Sequence, residues 1–291
     1  MTVSERFNAF LENLKLTSDQ VEDGKTKYKG VTRCLNTHYY SLNSDTANSI
    51  LVGSWGKHTQ IRPPRDIDAL FPLPKSVYDR FQYRLGNKQS QLLQEVKDVL
   101  TRTYSTTKMR GDEQVVMVPF ASYAVEVVPA FLLDSGQYWV CNTHDGGKYL
   151  RFDPNAEAKN VADSESATNG NTRHLIRMLK DWQGYCSVLI KSFHLELLAI
   201  QFLASWQHAG HSTVYYDWMV RDFFSFLVGR ANSWVFVPGT MEGLPLGDAW
   251  KSKAETAKGR AEKACEYESE KLPYLAGAEW QKIFGTLIPT G

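Results

Sequence analysis

The chain is short of cysteine, of long apolar runs and of net charge. Its four cysteines (Cys34, Cys141, Cys186 and Cys265) stand far apart in 291 residues, and no Cys-x-x-Cys occurs. That usage argues against a structural zinc site or a disulfide framework and suits a reducing cytoplasm. No apolar run approaches the roughly 18 residues that a membrane-spanning helix needs, so no membrane attachment is expected. Residues 1–14 are mixed and charged, unlike a signal peptide. A formal net charge of +1 argues against a protein that coats nucleic acid, while leaving room for a local basic cleft. No internal repeat is present. What remains is an ordinary globular composition, 43% hydrophobic and 22% charged. The length is enough to bury one large core or two smaller ones.

Phe7, Phe10, Leu11 and Leu14 recur at helical spacing, and Thr17-Ser18-Asp19 offers cap residues for a second helix. Val21, Tyr28, Val31, Leu35 and Tyr39 carry that helix for about six turns, weakened by Gly24 and Gly30. Strands are predicted over 50–55 and 67–72, and an amphipathic helix over 88–104. Further strands are predicted over 105–110, 114–120 and 123–131, with a hairpin arm at 137–141. The polar stretch 142–171 reads as a loop and a domain boundary. Helices are predicted over 173–185, 192–208, 215–228 and 248–271. In the last, Ala254, Ala257, Ala261 and Ala264 make a small-residue stripe suited to close helix packing.

The chemistry concentrates in 53–71. Gly53-Ser54 closes the apolar run Ile50-Leu51-Val52, a proline-bearing polar loop follows, and Asp66 and Asp68 head a second apolar run. Side chains alternate faces along a strand, so the two aspartates would point the same way while Ile67 enters the core. Adjacent carboxylates repel unless a cation sits between them, and magnesium is typically held by one or two carboxylates plus substrate phosphates. In two-ion displacement at phosphorus, a third carboxylate would lie on a neighbouring strand. Glu126, within Tyr-Ala-Val-Glu-Val-Val, fits that place; the alternative is an edge-strand glutamate facing solvent.

Gly53-Ser54, then Asp66-Ile67-Asp68, then Glu126 resembles the polymerase-β-type nucleotidyltransferase superfamily. Leu179-Lys180-Asp181-Trp182 and the run from Lys191 through Ser192 to Leu198 are similar to the group containing 2′-5′ oligoadenylate synthetases, cyclic GMP–AMP synthase and their bacterial relatives. Residues 59–68 look like the bacterial cyclic-oligonucleotide synthases of anti-phage defence. The resemblance implies an α+β fold. A polymerase-β-like nucleotidyltransferase core of mixed sheet and helices, including the long N-terminal helix, would occupy 1–155. A helical domain would occupy 156–291, with a cleft between them. Asp66, Asp68 and Glu126 would hold two magnesium ions, with manganese able to substitute. Gly53 and Ser54 would cradle the β/γ-phosphates, and Lys180 and Ser192 would contact the triphosphate. The substrates implied are nucleoside triphosphates (ATP, with GTP or UTP), joined into a cyclic di- or trinucleotide with release of pyrophosphate. A cytoplasmic monomer is expected, open to a regulatory protein or ligand, with a downstream effector that responds to the product. One alternative is a template-independent transferase acting on RNA ends or a protein side chain. Another is a catalytically silent nucleotide sensor.

The chain departs from that pattern at defined positions. Members of the group commonly carry Gly-Ser-x-x-x-Gly-Thr; here His58 holds the second glycine position and Gly56 lies two residues earlier. Arg65 precedes the first aspartate where a small polar residue is usual, and Glu126 stands where aspartate is commoner. The zinc-binding insertion of animal cyclic GMP–AMP synthase is absent. His194 reads as a core histidine and Lys191 as a solvated helix-end lysine as readily as ligand contacts. The role of His58, and any base contact by Asp248 or Trp250, stay open.

Overall fold

Two capping boxes open the chain. Thr2 and Glu5 start α1 (Val3–Leu14), and Thr17 and Gln20 start α2 (Ser18–Tyr40), each pair exchanging side-chain and backbone bonds. The computed structural model describes residues 1–105, 109–112 and 114–291. After α2 come β1 (Ile50–Leu51), α3 (Gly53–Lys57), β2 (Ile67–Pro72), α4 (Lys75–Gln82) and α5 (Lys88–Thr103). Then come β3 (Arg110–Asp112), β4 (Val115–Pro119), β5 (Ala124–Leu132), β6 (Tyr138–Asn142) and β7 (Lys148–Phe152). The remainder is α6 (Pro154–Ala167), α7 (Asn171–Tyr185), α8 (Ser192–Leu203), α9 (Tyr216–Val228), the hairpin β8 (Trp234–Phe236) and β9 (Gly243–Pro245), α10 (Lys251–Ser269) and α11 (Pro273–Phe284).

These elements form two compact units. The sheet unit is Leu16–His58 with Pro64–Ala158, and the helical unit is Met1–Lys15, Thr59–Pro63 and Lys159–Gly291. Residues 1–15 therefore group with the helices, not with the 1–155 core that the resemblance implies. The physical reason is apolar burial. Phe7 and Phe10 are fully buried, with Phe7 edge-on to Trp280 at 5.2 Å and Phe10 beside Phe284 at 4.8 Å.

The sheet unit is built on β5, whose nine residues pair along one edge with β2 in parallel. Its other edge pairs with β4 along the first half and β6 along the second, both antiparallel. Ile67, Ala69, Val125 and Val127 face one way and are buried with α2 and α5 residues such as Val31, Leu35, Leu92 and Val96. Leu70, Ala130 and Val140 face the other way in a smaller cluster. Burying one such side chain is worth roughly 1.5–3 kcal/mol, so the alternation fixes the register of every strand. Gly24 lets α2 approach closely, because a β-carbon there would stand 2.7 Å from the Trp55 ring.

In the helical unit α10 presents Ala254, Ala257, Ala261 and Ala264, all buried, as the stripe expected of a closely packed helix. Arg6 is fully buried and donates to Glu268 Oε1 at 3.0 Å. It also donates to the carbonyls of Pro273 (2.7 Å), Pro289 (2.6 Å) and Thr290 (2.9 Å).

The helix expected over 192–208 ends at Leu203, and four other stretches depart from or extend the pattern reading. The strand expected over 50–55 stops at Leu51, because Gly53 turns left-handed (φ 55°) and starts α3. The loop expected over 142–171 contains β7 and α6; of α6 only Pro154 and Val161 are buried, so its sequence carries no apolar stripe. Of the strand expected over 105–110, residues 106–108 lie outside the described residues, and β3 begins at Arg110. The helix expected over 248–271 is α10, and α11 follows it after the Pro273 start. Among the described residues no helix is long and apolar enough to cross a membrane.

Candidate active site

The phosphate-loop candidate is welded to β2 by backbone geometry. β1 pairs antiparallel with β2, and the Val52 N–H donates to the Asp68 carbonyl at 3.0 Å. This sets Gly53 directly against Asp68. A β-carbon on Gly53 would collide with the Asp68 carboxylate, so only glycine fits, both for space and for its positive φ. Gly56 is equally constrained, since a β-carbon there would strike the Leu51 carbonyl. Its N–H donates to Val52 O at 3.0 Å, the first helical bond of α3.

The sequence departure at His58 keeps the backbone turn. His58 closes α3 in the left-handed region (φ 57°, ψ 39°), and its N–H reaches the Ser54 and Trp55 carbonyls. That is the conformation a glycine takes most cheaply, and a non-glycine residue there costs about 1–2 kcal/mol. Trp55 anchors the helix in the core, 6% exposed and edge-on to Tyr123 at 5.8 Å. Lys57, also buried, pairs with Glu157 Oε2 of α6 at 3.1 Å. Sequence reading missed this pair because Glu157 lies in the polar stretch taken as loop. An α3 ending in a lysine among apolar and glycine residues was the available signal.

Asp68 and Glu126 are partners in register across the parallel strands β2 and β5. Both are half-buried, on the face opposite the fully buried Val125 and Val127. Asp66 lies one residue before the start of β2. It is exposed, whereas Asp68 within the strand is half-buried. Among the described residues no three His, Cys, Asp or Glu side chains converge on a point that would hold a metal ion. Two carboxylates side by side, with the backbone of Gly53 against one of them, still suit a hard cation that takes one or two carboxylates and completes its shell with phosphate and water.

Lys180 of α7 is buried, and its ammonium donates to the Thr59 carbonyl at 3.1 Å and the Thr59 hydroxyl at 2.8 Å. Thr59 follows His58 directly and was not singled out from sequence. It opens a five-residue strap, Thr59–Pro63, that belongs to the helical unit. Ile61 is buried in that unit's core, and Arg62 donates from Nε (3.0 Å) and Nη2 (2.6 Å) to the Asn13 carbonyl. Ser192 is the first residue of α8. His194 is buried on that helix, and burial, helped by Lys191, pushes its pKa down. Trp250 is fully buried and donates to the Leu246 carbonyl at 2.8 Å, a core anchor rather than a base contact. Asp248 accepts from Asn232 at 3.1 Å.

A mixed sheet in which a Gly-Ser turn abuts a carboxylate pair, with a helical unit following, is the α+β form of a polymerase-β-like nucleotidyltransferase. The chain belongs to the family described as the Second Messenger Oligonucleotide or Dinucleotide Synthetase domain, whose model matches residues 1–165. It is thus an enzyme, a nucleotidyltransferase of the cyclic oligonucleotide synthase class. A probable cyclic nucleotide synthase of Bacillus cereus (strain VD146) is 21% identical, over 82% of this chain and 81% of that protein. The Vibrio cholerae di-nucleotide cyclase DncV, in complex with ATP and GTP, superposes with a TM-score of 0.72 at 15% identity, covering 98% of this chain and 96% of that one. CdnC of E. coli MS115-1, in complex with a HORMA protein, superposes at 0.69 and 17% identity over 98% of each chain.

Proposed function

We propose that the chain joins nucleoside triphosphates, ATP with GTP or UTP, into a cyclic di- or trinucleotide and releases pyrophosphate, as a signal in anti-phage defence. The observation that carries this reading is the register pairing of Asp68 with Glu126 beside Gly53. Asp68 and Glu126, with Asp66 as the third carboxylate, are the ligands proposed for magnesium, or manganese in its place. The ions would supply charge neutralisation at the phosphates and a more acidic attacking hydroxyl. The chain's own groups do the positioning. The Gly53–Ser54 backbone lies at the start of α3, where its N–H groups would cradle the β/γ-phosphates. Lys180 and Ser192 are proposed as triphosphate contacts, and Lys180 also fixes Thr59. Phosphoryl transfer needs little beyond such positioning and charge. Bacterial relatives bound to ATP and GTP support the choice of substrate, and the complex of E. coli CdnC with HORMA supports control by a protein partner.

The test is product mass spectrometry after incubation with the four ribonucleotides and Mg²⁺ or Mn²⁺, with and without tRNA. Cyclic oligonucleotide and pyrophosphate, absent in Asp68→Asn, are expected. Label transferred to tRNA or to protein instead would establish the template-independent transferase.

A further inference from the structure

The loop between α8 and α9, within the helical unit, holds a pair of histidines that the nucleotidyl-transfer chemistry does not use. The Nδ1 atoms of His208 and His211 face each other at 3.3 Å. Two imidazole nitrogens bound at about 2.0–2.1 Å to one tetrahedral ion stand about 3.3 Å apart. A right angle at the metal would bring them to roughly 2.9 Å, so the spacing fits the tetrahedral case better.

The pair is held by its surroundings. The His208 ring stacks on Tyr215 (4.6 Å, 16°) and meets the edges of Trp206 (5.4 Å) and Trp218 (5.7 Å). His211 lies edge-on to the same Tyr215 at 4.9 Å. The backbone between them is pinned from α7: Asn171 Nδ2 donates to the Ala209 carbonyl at 2.8 Å and the His211 carbonyl at 2.7 Å. Asn171 is itself fixed, because its Oδ1 accepts from the Tyr216 hydroxyl at 2.5 Å. That hydroxyl oxygen in turn lies 2.6 Å from His174 Nδ1, which donates to it. The Gln207 amide stands 3.0 Å from His208 Nε2. As placed, the amide nitrogen faces His208 Nε2; turning the amide over would let its oxygen accept from Nε2–H and leave the Nδ1 lone pair free for an ion.

We infer that His208 and His211 form a second metal site, distinct in chemistry from the carboxylate pair, which binds a borderline divalent ion such as Zn²⁺, Ni²⁺ or Cu²⁺. Imidazole suits these ions, whereas magnesium takes oxygen. Among the described residues no third His, Cys, Asp or Glu joins the pair. The ion therefore keeps open positions for water or for a donor on another molecule. Its affinity is that of a two-imidazole chelate rather than a closed structural site. His211 is exposed, which gives the ion its entry path.

The test is calorimetric titration of the full chain with Zn²⁺ alone, without nucleotide or Mg²⁺, together with Cu²⁺ electron paramagnetic resonance. One saturable site with two-nitrogen coupling to Cu²⁺ is expected. His211→Gln, at an exposed position, should weaken Zn²⁺ at least about tenfold, while His38→Gln leaves it unchanged. No saturable binding below roughly 100 µM, or unchanged binding in His211→Gln, would show a plain hydrogen-bonded histidine pair and overturn the proposal. Neither readout depends on nucleotide turnover, so the outcome is independent of the proposed reaction.

Discussion

Asp68 and Glu126 sit directly opposite one another on neighbouring parallel strands, although they are far apart in the sequence. The strand pairing, not local sequence, creates the two-carboxylate group. Asp68→Asn and Glu126→Gln keep shape and remove one charge each. Each is expected to lower pyrophosphate release at least about 100-fold with unchanged circular dichroism. Activity within tenfold of the parent in both variants would remove these residues from the site.

The α3 turn makes opposite demands at its two ends. At Gly53 an alanine meets the Asp68 carboxylate and a positive φ, and Gly53→Ala is expected to destabilise by about 1–3 kcal/mol and to abolish turnover. At His58 the φ of 57° is what matters. His58→Gly should stay within about 1 kcal/mol of the parent, while His58→Val, β-branched in the left-handed region, should lose about 1–2 kcal/mol. Urea denaturation of the three variants reads this directly.

Asp217 gives the helical unit a pH dependence. It is 5% exposed, and its Oδ1 has no hydrogen-bond partner among the described residues. Burial first, with Glu268 adding to it, pushes its pKa up to about 6. A carboxyl whose folded pKa is raised favours folding most when protonated. That contribution is complete below the unfolded pKa near 3.9 and fades as pH rises through about 6. Asp217→Asn removes the dependence. Relative to the parent it should gain roughly 2–3 kcal/mol between pH 4 and pH 8. Parallel stability curves for the two proteins across that range would contradict it.

Arg6 satisfies one carboxylate and three carbonyls from a fully buried position. Arg6→Ala strands all four acceptors and should cost about 3–5 kcal/mol. Arg6→Lys should recover little, because a single ammonium cannot reproduce the planar fork. Chemical denaturation midpoints distinguish the two.

Periodicity made the core helices legible: Phe7, Phe10, Leu11 and Leu14 are all buried, as their spacing demands. The alanine stripe of α10 was readable for the same reason. α6 was not, since a helix burying only Pro154 and Val161 has no stripe to read. The carboxylates could be nominated from sequence, but the register that sets Asp68 opposite Glu126 comes from the strand pairing. Thr59 was invisible because its partner, Lys180, is remote in sequence and bonds both its carbonyl and its hydroxyl. His58 looked like a defect only in letters, as its backbone keeps the left-handed turn.

The interleaving of the two units sets an order of events during synthesis. α1 is made well before its partners Trp280 and Phe284. The sheet unit has all its residues once Ala158 has emerged, whereas the helical unit must wait for residues as late as α11. Until then Phe7 and Phe10 lack part of their core, and such late, long-range closure is where nascent chains are exposed to misassembly. The same threading means that no single cut in the chain separates the two units cleanly: cleavage after Ala158 leaves α1 and the Thr59–Pro63 strap on the wrong fragment.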